Sequence, residues 1–164
     1  MMDLDQFDFS AFLLGKDGSF SRRIVLASAI LAVFVYGTVE LPGHYAHTWN
    51  SILGVDVRLL GALVGGVLTS LLATYNAYAN RGLLVSFVVV FLPAFGFFYG
   101  LLDLGHALDH STTYVGPLTE EFVTATWLAI VSSAILTPIC YVLGTALRRL
   151  SRIVADEGGG DHVA

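Results

Sequence analysis

The sequence predicts an all-α fold: a four-helix transmembrane bundle made of two tandem helical hairpins. Hydrophobic residues make up 55% of the chain and charged residues only 13%, with a mean hydropathy of +0.74, which lies outside the range of soluble proteins. Four apolar runs approach or exceed the roughly 20 residues that cross a bilayer. One motif also occurs twice, at matching places in the chain. We therefore expect the lipid bilayer of the cell membrane to surround this protein.

The N-terminal segment, 1–21, is acidic, and we place it in the cytoplasm. Leu4, Phe7, Ala11 and Leu14 share one helical face, with aspartates between them. Two interpretations remain open. The segment is either an interfacial helix on the inner leaflet or a partly ordered tail, because a single lysine gives little attraction to anionic lipid.

The four predicted spans are apolar runs without any charged residue, and they cover 24–39, 59–79, 83–102 and 122–147. The first run is short, but Arg22 and Arg23 can extend their charged ends to the membrane surface. The first hairpin then covers 22–79 and the second 83–147, with a cytoplasmic tail at 148–164.

Basic residues predict the orientation, because Lys and Arg close to span ends are retained on the cytoplasmic side. Only Arg58 falls on the other side. The basic residues on the cytoplasmic side are Lys16, Arg22, Arg23, Arg81, Arg148, Arg149 and Arg152. Both termini are therefore expected inside, and segments 40–58 and 103–121 outside.

An internal repeat relates the two hairpins at a constant offset along the chain. At the ends of the first and third spans, Tyr36 matches Tyr99 and Glu40 matches Asp103, in both cases 63 positions later. The second helix of each hairpin keeps the offset, with Thr69 matching Ser132, Ser70 matching Ser133, Thr74 matching Thr137 and Tyr78 matching Tyr141. Because both copies enter the membrane from the same side, we expect a parallel repeat with a pseudo-two-fold axis along the membrane normal.

Small residues at every fourth position predict close helix packing. Gly61 with Gly65 and Gly96 with Gly100 form two G-x-x-x-G motifs. A third row continues this spacing through Ala125, Ala129, Ser133 and Thr137. We interpret these rows as internal packing seams. The hydroxyls of Thr69, Ser70, Ser132 and Ser133 are expected to bond to carbonyls of their own helices rather than to form a polar pathway.

An acid and two histidines follow each copy of the repeated motif. Glu40, His44 and His47 have the spacing i, i+4, i+7. Asp103, His106 and His110 have the spacing i, i+3, i+7. Continuing helices would place each trio on one face. In the first copy, however, Pro42 and Gly43 favour a turn.

Imidazole and carboxylate groups at these spacings suit a transition metal such as zinc, iron or copper. The candidate ligands are Glu40, His44, His47, Asp103, His106 and His110, and Asp109 could orient one of the rings. The alternative is that these side chains only meet water and lipid headgroups. Asp56, Glu120 and Glu121 are interpreted as solvated charges near helix starts.

Three classes of function remain open: a small membrane subunit that binds other membrane proteins or itself, an outer-face metal or redox module, and a homo-oligomeric transporter or channel. The charge pattern offers no nucleic-acid patch. The chain has one cysteine, Cys140, which excludes an internal disulfide. No familiar catalytic motif occurs, so the sequence does not predict an enzyme.

Overall fold

The computed structural model describes the backbone of residues 9–53, 57–108 and 118–158, and the side chains of residues 12–40, 58–102 and 120–155. Within these parts the chain is helical apart from short turns, and no strand is found there. The helices are α1 (Phe9–Leu14), α2 (Gly18–Leu53), α3 (Val57–Ala79), α4 (Leu83–Leu108) and α5 (Leu118–Gly158).

The four predicted spans are confirmed by helix length and hydropathy. The apolar segments long enough to cross a membrane are Phe12–Glu40, Arg58–Ala79, Leu83–Leu102 and Glu120–Ala155. The protein is thus a helical membrane protein by length and composition. The domain boundaries 22–79, 83–147 and 148–164 remain predictions, as does the cytoplasmic location of the termini.

Helix α2 continues well beyond the place where the sequence predicted an outer loop. It runs through Pro42 and Gly43 to Leu53, so these two residues, which favour a turn, do not end the helix. A proline in a helix interior removes one backbone hydrogen bond. A helix that is already long propagates easily past one such loss, because each further residue adds its own bond without a new nucleation step.

Helix α4 lies at the centre of the packing. It packs against α2, α3 and α5, and α1 also contacts it. In the apolar part of α4, 39% of the residues are buried, against 28% in the apolar part of each of the other three long helices. This part of α4 also has the highest mean hydropathy of the four, 2.2. The remaining packed pairs, α2 with α3 and α3 with α5, close a ring in the order α2, α4, α5, α3.

The predicted two-fold axis is not shown by the described residues. A two-fold that exchanged the hairpins would make the α3–α4 contact equivalent to an α2–α5 contact, yet only α3 and α4 form a packed pair. The buried residues of α3 and α5, the second helices of the two hairpins, also correspond at a different offset from the sequence repeat. Gly61, Gly65, Thr69 and Ala73 are buried, and so are Ala125, Ala129, Ser133 and Thr137, each 64 positions later rather than 63. One position turns a helix face by about 100°, so residues matched by sequence face different surroundings.

The glycine motifs are internal packing seams, as predicted. A Cβ placed on Gly65 would lie 2.5 Å from Cγ2 of Val35 in α2. A Cβ on Gly96 would lie 2.5 Å from the backbone oxygen of Ala32, also in α2. At Gly96 the two backbones therefore approach too closely for a side chain to fit, and at Gly65 the side chain of Val35 occupies the space.

The acidic N-terminal segment ends in a short helix that packs on the bundle. The ring of Phe12 in α1 meets the edge of Tyr141 in α5, with centroids 6.0 Å apart. After Gly15, which has a φ of +88°, the amides of Lys16 and Asp17 donate to the backbone and side-chain oxygens of Asn80, at 3.1 and 2.8 Å. The N-terminal turn is thus fixed to the α3–α4 turn. Residues 1–8 of the predicted interfacial helix lie outside the described residues.

Candidate functional site at the C-terminal ends of α2 and α4

Glu40 is the one predicted metal ligand whose side chain the structure describes. It lies at the C-terminal end of the apolar part of α2 and is half-buried. Its Oε2 atom is buried and has no hydrogen-bond partner among the described residues. Because a desolvated carboxylate oxygen is costly unless a donor or cation meets it, this atom marks a place where a cation would be stabilised.

The two copies of the motif lie at the same level on adjacent helices. The rings of Tyr36 in α2 and Tyr99 in α4 stack with centroids 6.0 Å apart and an interplanar angle of 30°. Glu40 and Asp103 each follow their tyrosine by four residues, about one helical turn. The backbones of α2 and α4 are therefore side by side where the two acids occur.

The other predicted ligands are only partly covered by the structure. Helix α2 includes the backbone of His44 and His47, and helix α4 includes that of Asp103 and His106, but the side chains of these four residues lie outside the described set. His110 and Asp109 lie outside it entirely. Among the side chains that are described, no group of three potential metal ligands occurs. The metal site therefore stays a prediction.

An aromatic cluster lies directly below this region. Phe95 stacks on Tyr99 with centroids 5.7 Å apart, and the edge of Phe122 from α5 meets Phe95 at 5.3 Å. Further inward, Phe91 and Phe87 continue the stack along α4. These rings form an apolar column along one face of α4 that ends at Tyr99.

The acidic residues at the start of α5 are only partly as predicted. Glu120 and Glu121 do stand in the first turn of α5, where the helix dipole favours them. Glu120 is exposed, but Glu121 is only 8% exposed, so the expectation that it is solvated was wrong. Sequence spacing gives a hint of this, since Glu121 precedes Ala125 and Ala129 on the row of small residues that faces the bundle. Asp56 lies outside the described residues.

The hydroxyls in the spans fall into two groups. Ser70 donates to the carbonyl of Gly66 at 2.9 Å, and Ser132 to that of Leu128 at 2.8 Å, as predicted. Thr69 and Ser133 are buried and have no hydrogen-bond partner in the described part of the chain, so the prediction of back-bonding was wrong for them. The hydroxyl of Thr137 is likewise buried without a hydrogen-bond partner among the described residues. These three face inward on α3 and α5, whereas Ser70 and Ser132 lie nearer the surface.

Comparisons with known proteins give no relative. No family model matches the chain, and neither a curated protein nor a solved structure matches it. The class of protein therefore rests on the helices themselves, and any activity has to be argued from the geometry above.

Proposed function

We propose that this chain is a small multi-pass membrane subunit that binds another protein through the cytoplasmic end of α5. The observation that carries the proposal is the length of this helix. With 41 residues, α5 is about 60 Å long, twice the roughly 30 Å thickness of the hydrocarbon core.

Contacts with α3 show where α5 leaves the bundle. Gly144 packs against the backbone of Thr74 and Tyr78, and the guanidinium of Arg148 donates to the Tyr78 carbonyl at 3.3 Å. The hydroxyls of Tyr78 and Ser151 lie 3.3 Å apart. Since α3 ends at Ala79, Ser151 lies near the level of the end of α3. Helix α5 continues from Ser151 to Gly158, about 10 Å further.

The last turns of α5 carry an apolar stripe. Leu150, Ile153 and Val154 are more than half exposed, and their spacing places them on one helical face. The headgroup region on each side of the bilayer is only roughly 5–8 Å thick. Val154, the last residue of the stripe, lies about 5 Å beyond Ser151, so the stripe lies at the level of the headgroups. There its apolar side chains meet headgroups and water, and a protein surface that covers the stripe would remove them from both.

The orientation and the repeat complete this proposal. Seven of the eight basic residues support cytoplasmic termini, which puts the projecting end of α5 inside the cell. The sequence match between the hairpins supports two copies that enter the membrane from the same side. In this view the repeat builds a stable bundle, and the α5 extension makes the specific contact.

Site-specific photo-crosslinking in intact cells tests the partner. A photoreactive amino acid at position 153 is expected to capture a discrete protein, either a different chain or a second copy. The partner found should no longer co-purify with an Ile153→Asp variant, while Ala155→Asp, which adds the same charge to the same turn on another face, should retain it. Capture of lipid alone would contradict the proposal.

A second candidate function is favoured by the buried, unpartnered Oε2 of Glu40. We propose as the alternative that the outer ends of α2 and α4 bind a transition metal through Glu40, His44, His47, Asp103, His106 and His110. The continuous helix α2 supports this, because helical spacing then gives Glu40, His44 and His47 a common face. The tyrosine pair supports it as well, since it brings α2 and α4 together one turn below the acids.

Elemental mass spectrometry on purified protein distinguishes this alternative. Wild-type protein is expected to retain stoichiometric metal, and the double variant His44→Ala/His106→Ala to lose it. A Glu40→Gln variant keeps the shape of the side chain and removes its charge, so reduced metal content there would implicate Glu40 itself. A metal-free wild type after loading with zinc, iron or copper would reject the site.

A further inference from the structure

Three arginines lie close together at the end of the bundle where α3 turns into α4. Arg81 stands in that turn, and Arg148 and Arg152 lie about one helical turn apart on α5. The guanidinium of Arg148 donates to the carbonyl of Tyr78, near the end of α3, at 3.3 Å. The positive charges of Arg81 and Arg152 both act on this guanidinium and repel it. The three side chains therefore meet, although they come from two separate segments of the chain.

Arg81 has a backbone conformation that favours glycine. Its φ is +61°, and it is the one non-glycine residue with a positive φ in the part of the chain that the structure describes. Its amide donates to the Asn76 carbonyl at 3.1 Å, and its carbonyl accepts from the Tyr141 hydroxyl of α5 at 3.3 Å. A side chain in this region is strained, whereas glycine is not. An arginine kept at a strained position points to a use for its guanidinium.

No carboxylate among the described side chains neutralises this arginine cluster. The one acid described at this end of the bundle, Asp17, accepts instead from two amides in the first turn of α2. Arg148 uses a single N–H of its guanidinium for the Tyr78 carbonyl, and a guanidinium has five. Like charges at close range raise the energy of each other. An anion that lies between the three groups would therefore be stabilised.

The arginine cluster lies at the level of the lipid headgroups. Arg81 comes directly after the end of α3, and the pair of hydroxyls of Tyr78 and Ser151, 3.3 Å apart, places this part of α5 at the same level. The cluster also lies on the opposite side of α5 from the apolar stripe. Leu150, in the middle of the stripe, is about 160° around the helix from both Arg148 and Arg152. The cluster is thus separate from the proposed partner-binding surface.

We infer that Arg81, Arg148 and Arg152 bind a phosphate group, either that of an anionic lipid headgroup or a soluble phosphate. Guanidinium groups donate paired N–H bonds to phosphate oxygens, and charge-assisted bonds of this kind are stronger than neutral ones. Basic pockets between helices at the cytoplasmic surface suit phosphate-bearing headgroups. The position at headgroup level favours the lipid as the source of the phosphate.

Native mass spectrometry of the full chain in detergent tests the lipid source, with phosphatidic acid as the probe and phosphatidylcholine as the zwitterionic reference. The wild type should bind one molecule of phosphatidic acid more tightly than phosphatidylcholine. Arg152→Gln should weaken this binding about tenfold, the effect of one charge-assisted hydrogen bond. Arg149→Gln removes the same charge from an exposed neighbour outside the cluster and should leave the affinity unchanged. Equal losses in both variants would show attraction by overall charge alone and overturn the site.

Isothermal titration calorimetry with inorganic phosphate tests the soluble source, on protein in phosphatidylcholine nanodiscs. Saturable binding that Arg152→Gln weakens and Arg149→Gln preserves would support the phosphate site and assign it to a soluble phosphate if phosphatidic acid does not bind. Binding of phosphatidic acid alone would assign it to the lipid. Failure of the wild type to bind either probe would reject the site.

The Arg81→Gly variant separates the guanidinium of Arg81 from the shape of the turn. Glycine adopts this φ without strain, so the variant should unfold at a higher temperature than the wild type in zwitterionic detergent. It should nevertheless bind the phosphate probe about tenfold more weakly. Unchanged phosphate binding in this variant would exclude Arg81 from the site.

Discussion

Ser28 in α2 supplies a hydrogen bond that Pro93 removes from α4. A proline has no backbone N–H, so Pro93 leaves the carbonyl of Val89 without its donor in α4. The hydroxyl of Ser28, fully buried in α2, donates to this carbonyl at 2.8 Å. A sequence defect in one helix is thus repaired by a side chain of its neighbour.

Ser28→Ala is therefore expected to lower the free energy of unfolding by about 1–2 kcal/mol, because the Val89 carbonyl is left buried and unpaired. Unfolding in mixed micelles measures it, with Ser70→Ala as a control that breaks only a bond within one helix. In a Pro93→Ala background, which restores the N–H, the cost of Ser28→Ala should shrink. Equal costs in both backgrounds would refute the compensation.

Gly15 is required by the turn that fixes the N-terminal segment. Its φ of +88° is a region that other residues rarely adopt, and a Cβ there would collide with the side chain of Asn80. Asn80 in turn donates to the hydroxyl of Ser21 at 2.7 Å. The turn, the glycine and the amide together hold α1 against the bundle.

Gly15→Ala should destabilise the protein by about 1–3 kcal/mol through backbone strain and this collision. In the same variant, the Lys16 amide, which donates to the Asn80 backbone oxygen, should exchange its hydrogen faster than in the wild type. The matched change is Gly18→Ala, where a Cβ meets nothing within 4 Å. If both variants behave alike, the turn does not depend on Gly15.

At the scale of elements, helices α2 and α4 form the most extensive of the helix interfaces. They meet at Gly96 and Gly100 of α4, at the Ser28–Val89 bond and at the Tyr36–Tyr99 stack. A backbone carbonyl opposite Gly96 cannot rotate away as a side chain would. The separation of the two helices is therefore fixed by the absence of a side chain at this position.

Gly96→Val should force α2 and α4 apart and lower the free energy of unfolding by about 1–3 kcal/mol, the usual cost of overpacking. Thermal unfolding in one detergent compares it with Gly66→Val, which adds the same atoms to α3 where space is open. Equal melting temperatures for both variants would show that the Gly96 contact has room to adjust.

At the scale of the whole molecule, the charge distribution determines how the bundle is inserted. With seven basic residues at one end and Arg58 at the other, we expect both termini in the cytoplasm. Single cysteines introduced by Thr113→Cys and Gly160→Cys, each in a Cys140→Ala background, report this. A membrane-impermeant maleimide should label position 113 in intact cells and position 160 only after permeabilisation. The reverse pattern would invert the topology.

The sequence by itself determined the class of protein and the spans. Length and hydropathy are properties of single segments, so the four helices could be predicted without knowing how they pack. The small residues that face neighbouring helices were predictable for the same reason, since four-residue spacing defines one helix face. Of the candidate site, the sequence supplied the repeated acid and histidine residues, but only Glu40 has a described side chain.

The tertiary structure alone decided which residues correspond by burial in the second helix of each hairpin. Thr69 is matched by sequence to Ser132, yet its buried counterpart is Ser133, because burial depends on where the neighbouring helices lie. The Asn80 contacts and the carbonyl of Ala32 opposite Gly96 have the same origin. Each arises from a contact between distant segments, which a pattern along one segment does not specify.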